Sequence, residues 1–142
     1  MLSDGLSNVK DMWLNVLPIV MALGTLALCL AEYTPIFDIL GKPLVPILTL
    51  LGIPEAQAAA PTFVIGFADM FLPSVLGASL SSDLTKVIIA GVSVTQLIYM
   101  SEVGALLIAS KIPLSFKDLV VIFLERTLIS LPIFALVAHI LF

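Results

Sequence analysis

Residues 12–31, MWLNVLPIVMALGTLALCLA, form a run of twenty residues without a charge, bounded by Asp11 and Glu32. A helix of twenty residues is about 30 Å long, which matches the hydrocarbon core of a bilayer. Trp13 and Tyr33 lie near the two ends of the run, where aromatic side chains anchor a helix at the membrane surface. The run therefore predicts a membrane-spanning helix.

The composition of the whole chain points the same way. Of its 142 residues, 61% are hydrophobic and only 11% are charged, and the mean hydropathy is +1.22. Soluble domains average about 45–50% apolar and about 25% charged residues. Six basic against ten acidic residues leave no basic patch for a nucleic acid polymer. One cysteine, Cys29, and one histidine, His139, argue against a disulfide framework and a metal cluster, so a polytopic membrane protein is the class that fits.

The segment that follows, residues 35–54, is interrupted and too short to cross a membrane. Asp38 and Lys42 carry charges, and prolines recur along it. Its uncharged run, residues 43–54, would be about 18 Å long as a helix, well short of the roughly 30 Å core. We expect an interfacial or re-entrant helix here, followed by a turn at residues 52–55.

Three further apolar segments are each long enough to span a bilayer, and they cover residues 57–80, 84–110 and 116–142. The loops between them, residues 81–83 and 111–115, contain N-cap residues: Ser82 or Asp83 for the third span and Ser115 for the last. The predicted fold is an all-α, polytopic membrane helix bundle that forms one domain over residues 1–142. It has about four spanning helices, one interfacial or re-entrant helix, and helix breaks at the midplane.

Asp69 is the sharpest candidate for a functional residue, because an ionisable side chain deep in a spanning helix is costly and marks a function by default. Pro73 lacks an N–H, so the carbonyl group of residue 69 loses its helical partner and the helix break coincides with the carboxylate. Thr62, Gly66, Asp69 and Pro73 would share one face of a continuous helix. Transporters build midplane sites from such broken helices. The alternative is a proline kink beside an aspartate that is hydrogen-bonded inside the bundle.

The third span carries a stripe of polar side chains. Thr95, Tyr99 and Glu102 would share one face of the helix, and Gln96 and Ser101 flank it. Hydroxyl, amide and carboxylate groups suit a ligand with several donors and acceptors, such as a sugar or a base. Hydrogen bonding between neighbouring helices is the alternative, since polar side chains commonly do this in membrane bundles.

The last span contains Glu125 and Arg126. Neighbouring residues point about 100° apart on a helix, so these two side chains cannot face the same partner. The third and fourth spans should run antiparallel through their short loop, which places Glu102 and Arg126 at similar depth. We expect an ion pair between them that either fixes the packing or gates the site.

Four strings carry a family resemblance: residues 31–37 (AEYTPIF), 52–56 (GIPEA), 66–73 (GFADMFLP) and 102–104 (EVG). They resemble YjiH-type inner-membrane proteins of the nucleoside-recognition, or Gate, domain family, and the string around Asp69 is the most specific. Gate domains are similar to one inverted repeat of concentrative nucleoside transporters and also occur in the membrane part of the ferrous-iron transporter. The resemblance implies a transport protein of the bacterial inner membrane with broken helices around a midplane site.

Two functions fit these observations. The first is a half-transporter that moves a small polar solute, such as a nucleoside-like compound, through a site lined by Asp69, Gln96 and Glu102 and formed on dimerisation. A coupling ion such as Na+ or H+ stays open, and no other cofactor is expected. The second is a non-transport structural or gating subunit of a larger membrane complex. An enzyme is not expected, because the chain has no HExxH motif and no Ser–His or paired-aspartate arrangement on facing helices.

The loop lysines bear on assembly, because they divide almost evenly between the two sides of the predicted topology. One side carries Lys10 and Lys86, and the other carries Lys42, Lys111 and Lys117. This bias is too small to fix the orientation of the chain in the bilayer. Two antiparallel copies would rebuild a two-fold axis in the membrane plane and bring two Asp69 breaks together. A parallel dimer, or pairing with a related half-transporter chain, is the alternative.

Overall fold

The computed structural model describes residues 2–109 and 112–142, and in this part of the chain it contains helices and turns but no strand. The α-helices are α1 (Leu2–Tyr33), α2 (Ile36–Gly41), α3 (Val45–Leu50), α4 (Ala56–Ile65), α5 (Leu72–Gly77), α6 (Asp83–Gln96), α7 (Ala105–Ala109) and α8 (Phe116–Leu141). A 3-10 turn, Lys42–Leu44, separates α2 from α3, and a π-helical turn, Met100–Gly104, precedes α7.

Two helical stretches of the described chain are long and apolar enough to cross a membrane. They are Asp83–Gly104, which comprises α6, an interruption at residues 97–99 and the π-helical turn, and Phe116–Leu141. A third crossing would need Val20–Tyr33 and Ile36–Leu50, which meet at 85°, to act as one bent span. The all-α fold agrees with the prediction, whereas the four full spans stay a prediction.

The chain bends sharply after α1, where Pro35 precedes α2. Pro43 lies at the start of the 3-10 turn and Pro46 at the start of α3. A missing N–H costs nothing at these positions, because the amides of a first helical turn have no helical partner. Gly52, with φ of +67°, then turns the chain back, so the short helices and the turn lie where the sequence predicts interruptions. Gly41 packs against the backbone of α4, and a Cβ atom there would approach Ala60 and Pro61 at 3.0 Å.

The core is built from α4, α6 and α8. Phe63 of α4, Ile88 and Val92 of α6, and Leu131 and Ala135 of α8 are buried in one cluster. Helices α6 and α8 run antiparallel, as predicted. Gly91 of α6 lies against Phe134 of α8, and the later Gln96 of α6 bonds the earlier Thr127 of α8.

The predicted N-caps of α6 and α8 are confirmed. Ser82 accepts a hydrogen bond from the Thr85 amide at 3.3 Å. Ser115 forms a full capping box with Asp118, in which each side chain bonds the backbone of the other residue. These caps fix where the two apolar helices begin.

Neither the second nor the third predicted span is one continuous helix. The second is interrupted at residues 66–71, between α4 and α5, and the third at residues 97–99, where Leu97 has a φ of +65°. Helical phase is lost at each interruption, so the predicted faces shared by Thr62 with Pro73 and by Thr95 with Glu102 are wrong. The predicted end of the third span at Ser110 and the start of the loop at Lys111 lie outside the described residues.

Candidate functional site

The first break, residues 66–71, begins where α4 tightens and ends. The amides of Phe67 and Ala68 donate to carbonyl oxygens three residues back, those of Val64 and Ile65, at 3.1 and 2.9 Å. The Phe63 carbonyl therefore has no amide of the next turn to accept from. Pro73 lies in the first turn of α5, after the break, so it starts the following helix instead of kinking one that continues.

The second break, residues 97–99, leaves the last four carbonyl groups of α6 without helical partners, and each of them is bonded by another group. The Tyr99 hydroxyl lies 2.7 Å from the carbonyl oxygens of both Ser93 and Val94. The Nε atom of Arg126, on α8, donates to the Thr95 carbonyl at 2.9 Å. The Ile98 amide donates to the Gln96 carbonyl at 2.8 Å. The Ser93 and Val94 carbonyls share the one Tyr99 hydroxyl proton, and a cation lies at the negative end of the α6 dipole.

The two breaks bond directly to each other. The amide of Met100 donates to the Phe67 carbonyl at 2.8 Å, and the amide of Ser101 donates to the Ala68 carbonyl at 3.0 Å. Irregular backbone that is buried must find such partners, and here each break supplies them for the other. We call this contact, residues 67–69 against residues 99–101, the crossing.

Asp69 is buried at the crossing and holds both breaks. Its Oδ1 atom accepts from the Phe71 amide at 2.8 Å, within the first break, and its Oδ2 atom accepts from the Ser101 hydroxyl at 3.1 Å, across the crossing. Gly24 of α1 closes the third side, because a Cβ atom there would lie 3.6 Å from Oδ2. Both carboxylate oxygens therefore have a donor inside the protein.

Gln96 ties the crossing to α8. Its fully buried side chain donates from Nε2 to the Phe63 carbonyl at 2.9 Å and to the Thr127 hydroxyl at 3.0 Å, and Thr127 in turn donates to the Phe123 carbonyl at 2.8 Å. The Oε1 atom of Gln96 is buried with no hydrogen-bond partner. It lies against Gly66, where a Cβ atom would be only 2.1 Å away, so any larger residue at this position would displace the Gln96 amide.

The structure divides the predicted site residues into two groups. The first group lies beside the breaks: Asp69 is at the crossing, Gln96 lies against Gly66, and the Tyr99 hydroxyl bonds the end of α6. The Thr95 hydroxyl bonds only carbonyl oxygens of its own helix, those of Gly91 and Val92. Glu102 is half-buried on the π-helical turn, and its amide donates to the Tyr99 carbonyl at 3.2 Å. Its carboxylate has no hydrogen bond within the described residues.

The predicted ion pair between Glu102 and Arg126 is not formed in the described part of the chain. Arg126 is instead turned to the end of α6, because the freed Thr95 carbonyl is an acceptor that a continuous third span would not have offered. The sequence offered no signal for this bond or for the Phe63–Gln96–Thr127 chain. A threonine at an interior helix position is compatible with many environments, and the freed carbonyl groups follow only from the breaks.

An apolar cavity of about 640 Å³ opens beside the first break. It lies between the α2–α3 segment, α4 and α8, and Phe67, Ala68 and Thr127 are among the residues that line it. Its walls are almost wholly apolar, so it offers no chamber for a polar solute within one chain.

The chain is similar to a protein of Alkalihalophilus pseudofirmus that carries the description uncharacterized protein. The two are 61% identical over 140 residues, which is 99% of this chain and 30% of that protein. The chain thus spans about a third of the length of this relative. No protein-family model matches the chain, and no solved structure matches it.

Proposed function

We propose that the chain is a half-transporter of the bacterial inner membrane, in which two copies enclose a path for a small polar solute at the crossing. The observation that carries the proposal is the position of Asp69, which binds both breaks at once. Discontinuous helices whose unwound segments meet are the way that transporters place backbone carbonyls and half-helix ends around a solute.

The crossing suits movement as well as binding. Each break is held to the other by two backbone bonds and by the bond from Ser101 to Asp69, and a continuous spanning helix would have no such bonds to exchange. A polar solute that supplied a donor to Asp69 and an acceptor to Ser101 would replace that bond without stranding a buried polar group. The resemblance to Gate domains supports a nucleoside-like compound, whose sugar hydroxyls and base edge offer both kinds of group.

Flux into proteoliposomes tests the proposal. We expect the reconstituted chain to carry at least one solute from a set of labelled nucleosides, nucleobases and sugars, under a Na+ or H+ gradient. Asp69→Asn should abolish that flux, because it removes the charge while the amide oxygen still accepts from Phe71 and the amide nitrogen still faces Ser101.

Asp83→Asn is the matched control. Asp83 is an exposed carboxylate at the start of α6, 3.3 Å from Lys86, and its loss should leave the flux near the native value. Native flux in Asp69→Asn would contradict the role of Asp69 as the binding carboxylate.

A second function, a non-transport gating or structural subunit, is favoured by one observation of its own. Both oxygens of Asp69 are already bonded within the chain, which is what a residue that only fixes the packing would show. Stable co-purification with an unrelated membrane protein, together with no solute flux, would support this function over the first.

A further inference from the structure

Two opposite charges lie side by side on the outer surface of α8. The side chains of Glu125 and Arg126 are both exposed, the tenth and eleventh residues of a helix that spans Phe116–Leu141. At 1.5 Å per residue, Arg126 lies about 15 Å from the start of α8 and about 22 Å from its end. If α8 crosses a membrane, as its length and hydropathy allow, both charges lie well inside the hydrocarbon.

A surface of this kind cannot face lipid. Charged side chains within spanning segments nearly always face protein or a water-filled cavity and pair with another group. The Nε atom of Arg126 is used by the Thr95 carbonyl, but the rest of its guanidinium and the whole carboxylate of Glu125 have no hydrogen bond or ion pair within the described residues. The described residues of this copy therefore leave both groups free to bind a second molecule.

The neighbouring surface is shaped to receive a helix. A groove of about 450 Å³ runs between α6 and α8, lined by Thr95, Arg126, Ile129, Ser130, Ile133 and Phe134. Ile129 and Ile133, together with Leu136 one turn further along, are largely exposed. Only 28% of the apolar window of α8 is buried within the chain, so most of this helix is free for contacts with another one.

We propose that this face of α8 binds the same face of a second copy about a two-fold axis, so that Glu125 of each copy pairs with Arg126 of the other. A two-fold interface brings one patch against itself, and it succeeds only where the patch is self-complementary. An acidic and a basic residue next to each other meet that condition, because one axis beside them creates two ion pairs and leaves no net charge. A different partner would need its own cation and anion at the same depth.

The proposal rests on the proposed function only in supposing that two copies act together, and it names the surface through which they meet. Association can be measured without any transported solute, so loss of the dimer and loss of flux are separate results.

Charge reversal provides the test, read by cross-linking of a cysteine at Ile129 in a Cys29→Ser background. Glu125→Arg gives each copy two cations, and Arg126→Glu gives each copy two anions, so either variant alone should lose at least tenfold in cross-linked dimer. When the two variants are co-reconstituted with different tags, every cation again faces an anion. We expect the mixed dimer to cross-link at the native level.

The controls separate the interface from general effects. A cysteine at Leu124, about 140° around α8 from Ile129, should not cross-link, and reversal of the half-buried Lys86, at the far end of α6, should leave the dimer unchanged. Native cross-linking by Glu125→Arg overturns the proposal. So does a mixture that stays monomeric while both variants keep native helix content. The Glu125 carboxylate makes no bond within its own chain in the described residues, so Glu125→Arg decides the question alone if Arg126→Glu loses helix content.

Discussion

Asp69 divides its two carboxylate oxygens between the two helix breaks, and under the proposed function this is the residue at which a solute would act. The bond to the Phe71 amide holds the start of α5, whereas the bond from Ser101 holds the π-helical turn. A movement of one break relative to the other must release at least one of these donors. Because a buried polar group left without a partner is costly, a solute that replaces the donor would favour the moved state.

Tyr99 provides a test at the same scale, because the structure gives it a structural task in place of the predicted ligand role. Tyr99→Phe should lower the free energy of unfolding by about 1–3 kcal/mol, since it removes the one hydroxyl proton that the Ser93 and Val94 carbonyls share. Tyr33→Phe is the matched control, because that ring is 84% exposed whereas Tyr99 is 3% exposed. Unfolding in mixed micelles measures both. If Tyr99→Phe abolished flux with native stability, the ligand role would be right and the capping role wrong.

The types of the polar residues were readable from the sequence, but their tasks were not. The sequence predicts Gln96 and Tyr99 as solute-binding residues and Arg126 as the ion-pair partner of Glu102, because buried polar groups in a spanning helix need partners of some kind. Their partners turn out to be backbone carbonyl groups that exist only because the helices stop. A prediction that starts from continuous helices has no such acceptors to assign.

At the scale of elements, the helix starts were easier to predict than the breaks. Ser82 and Ser115 cap α6 and α8 as expected, since an N-cap depends on a local side chain and the next turn. Pro73 was expected to break a helix by removing the partner of the residue 69 carbonyl, but the chain leaves the helix at residue 66 and Pro73 lies in the first turn of α5. Leu97 ends α6 with a left-handed backbone, which leucine adopts only when tertiary bonds compensate for the strain. No local signal in the sequence announces that conformation.

The strained backbone at Leu97 leads to a prediction for the second break. Leu97→Ile keeps the side-chain volume but places a β-branched residue at φ of +65°, and we expect it to lower the free energy of unfolding by about 1–3 kcal/mol. Leu128→Ile, in the regular helix α8, is the control, because Leu128 is 48% exposed and Leu97 is 46% exposed. It should lower the free energy of unfolding by less than about 0.5 kcal/mol. Equal losses in the two variants would show that the left-handed turn is not formed.

At the scale of the whole molecule, composition was enough to predict an all-α membrane bundle, but not how many times it crosses. The sum of hydrophobic residues does not reveal that the second predicted span is divided between α4 and α5, or that α1 meets α2–α3 at 85°. Dimerisation was predicted from a weak charge bias and the resemblance. The structure adds a surface on which the idea can be tested, the Glu125–Arg126 face of α8.

The most direct measurement asks whether the crossing is a path for solute or only packing. In a Cys29→Ser background, Ser101→Cys places a thiol beside Asp69. Ser93→Cys, in α6, is the control, because Ser93 is 3% exposed and Ser101 is 2% exposed. In the half-transporter, a small water-soluble thiol reagent should modify the cysteine at residue 101 in proteoliposomes, the transported solute should slow that reaction, and the cysteine at residue 93 should stay unmodified. Equal protection of both cysteines, with no effect of solute, would contradict a transport path through the crossing.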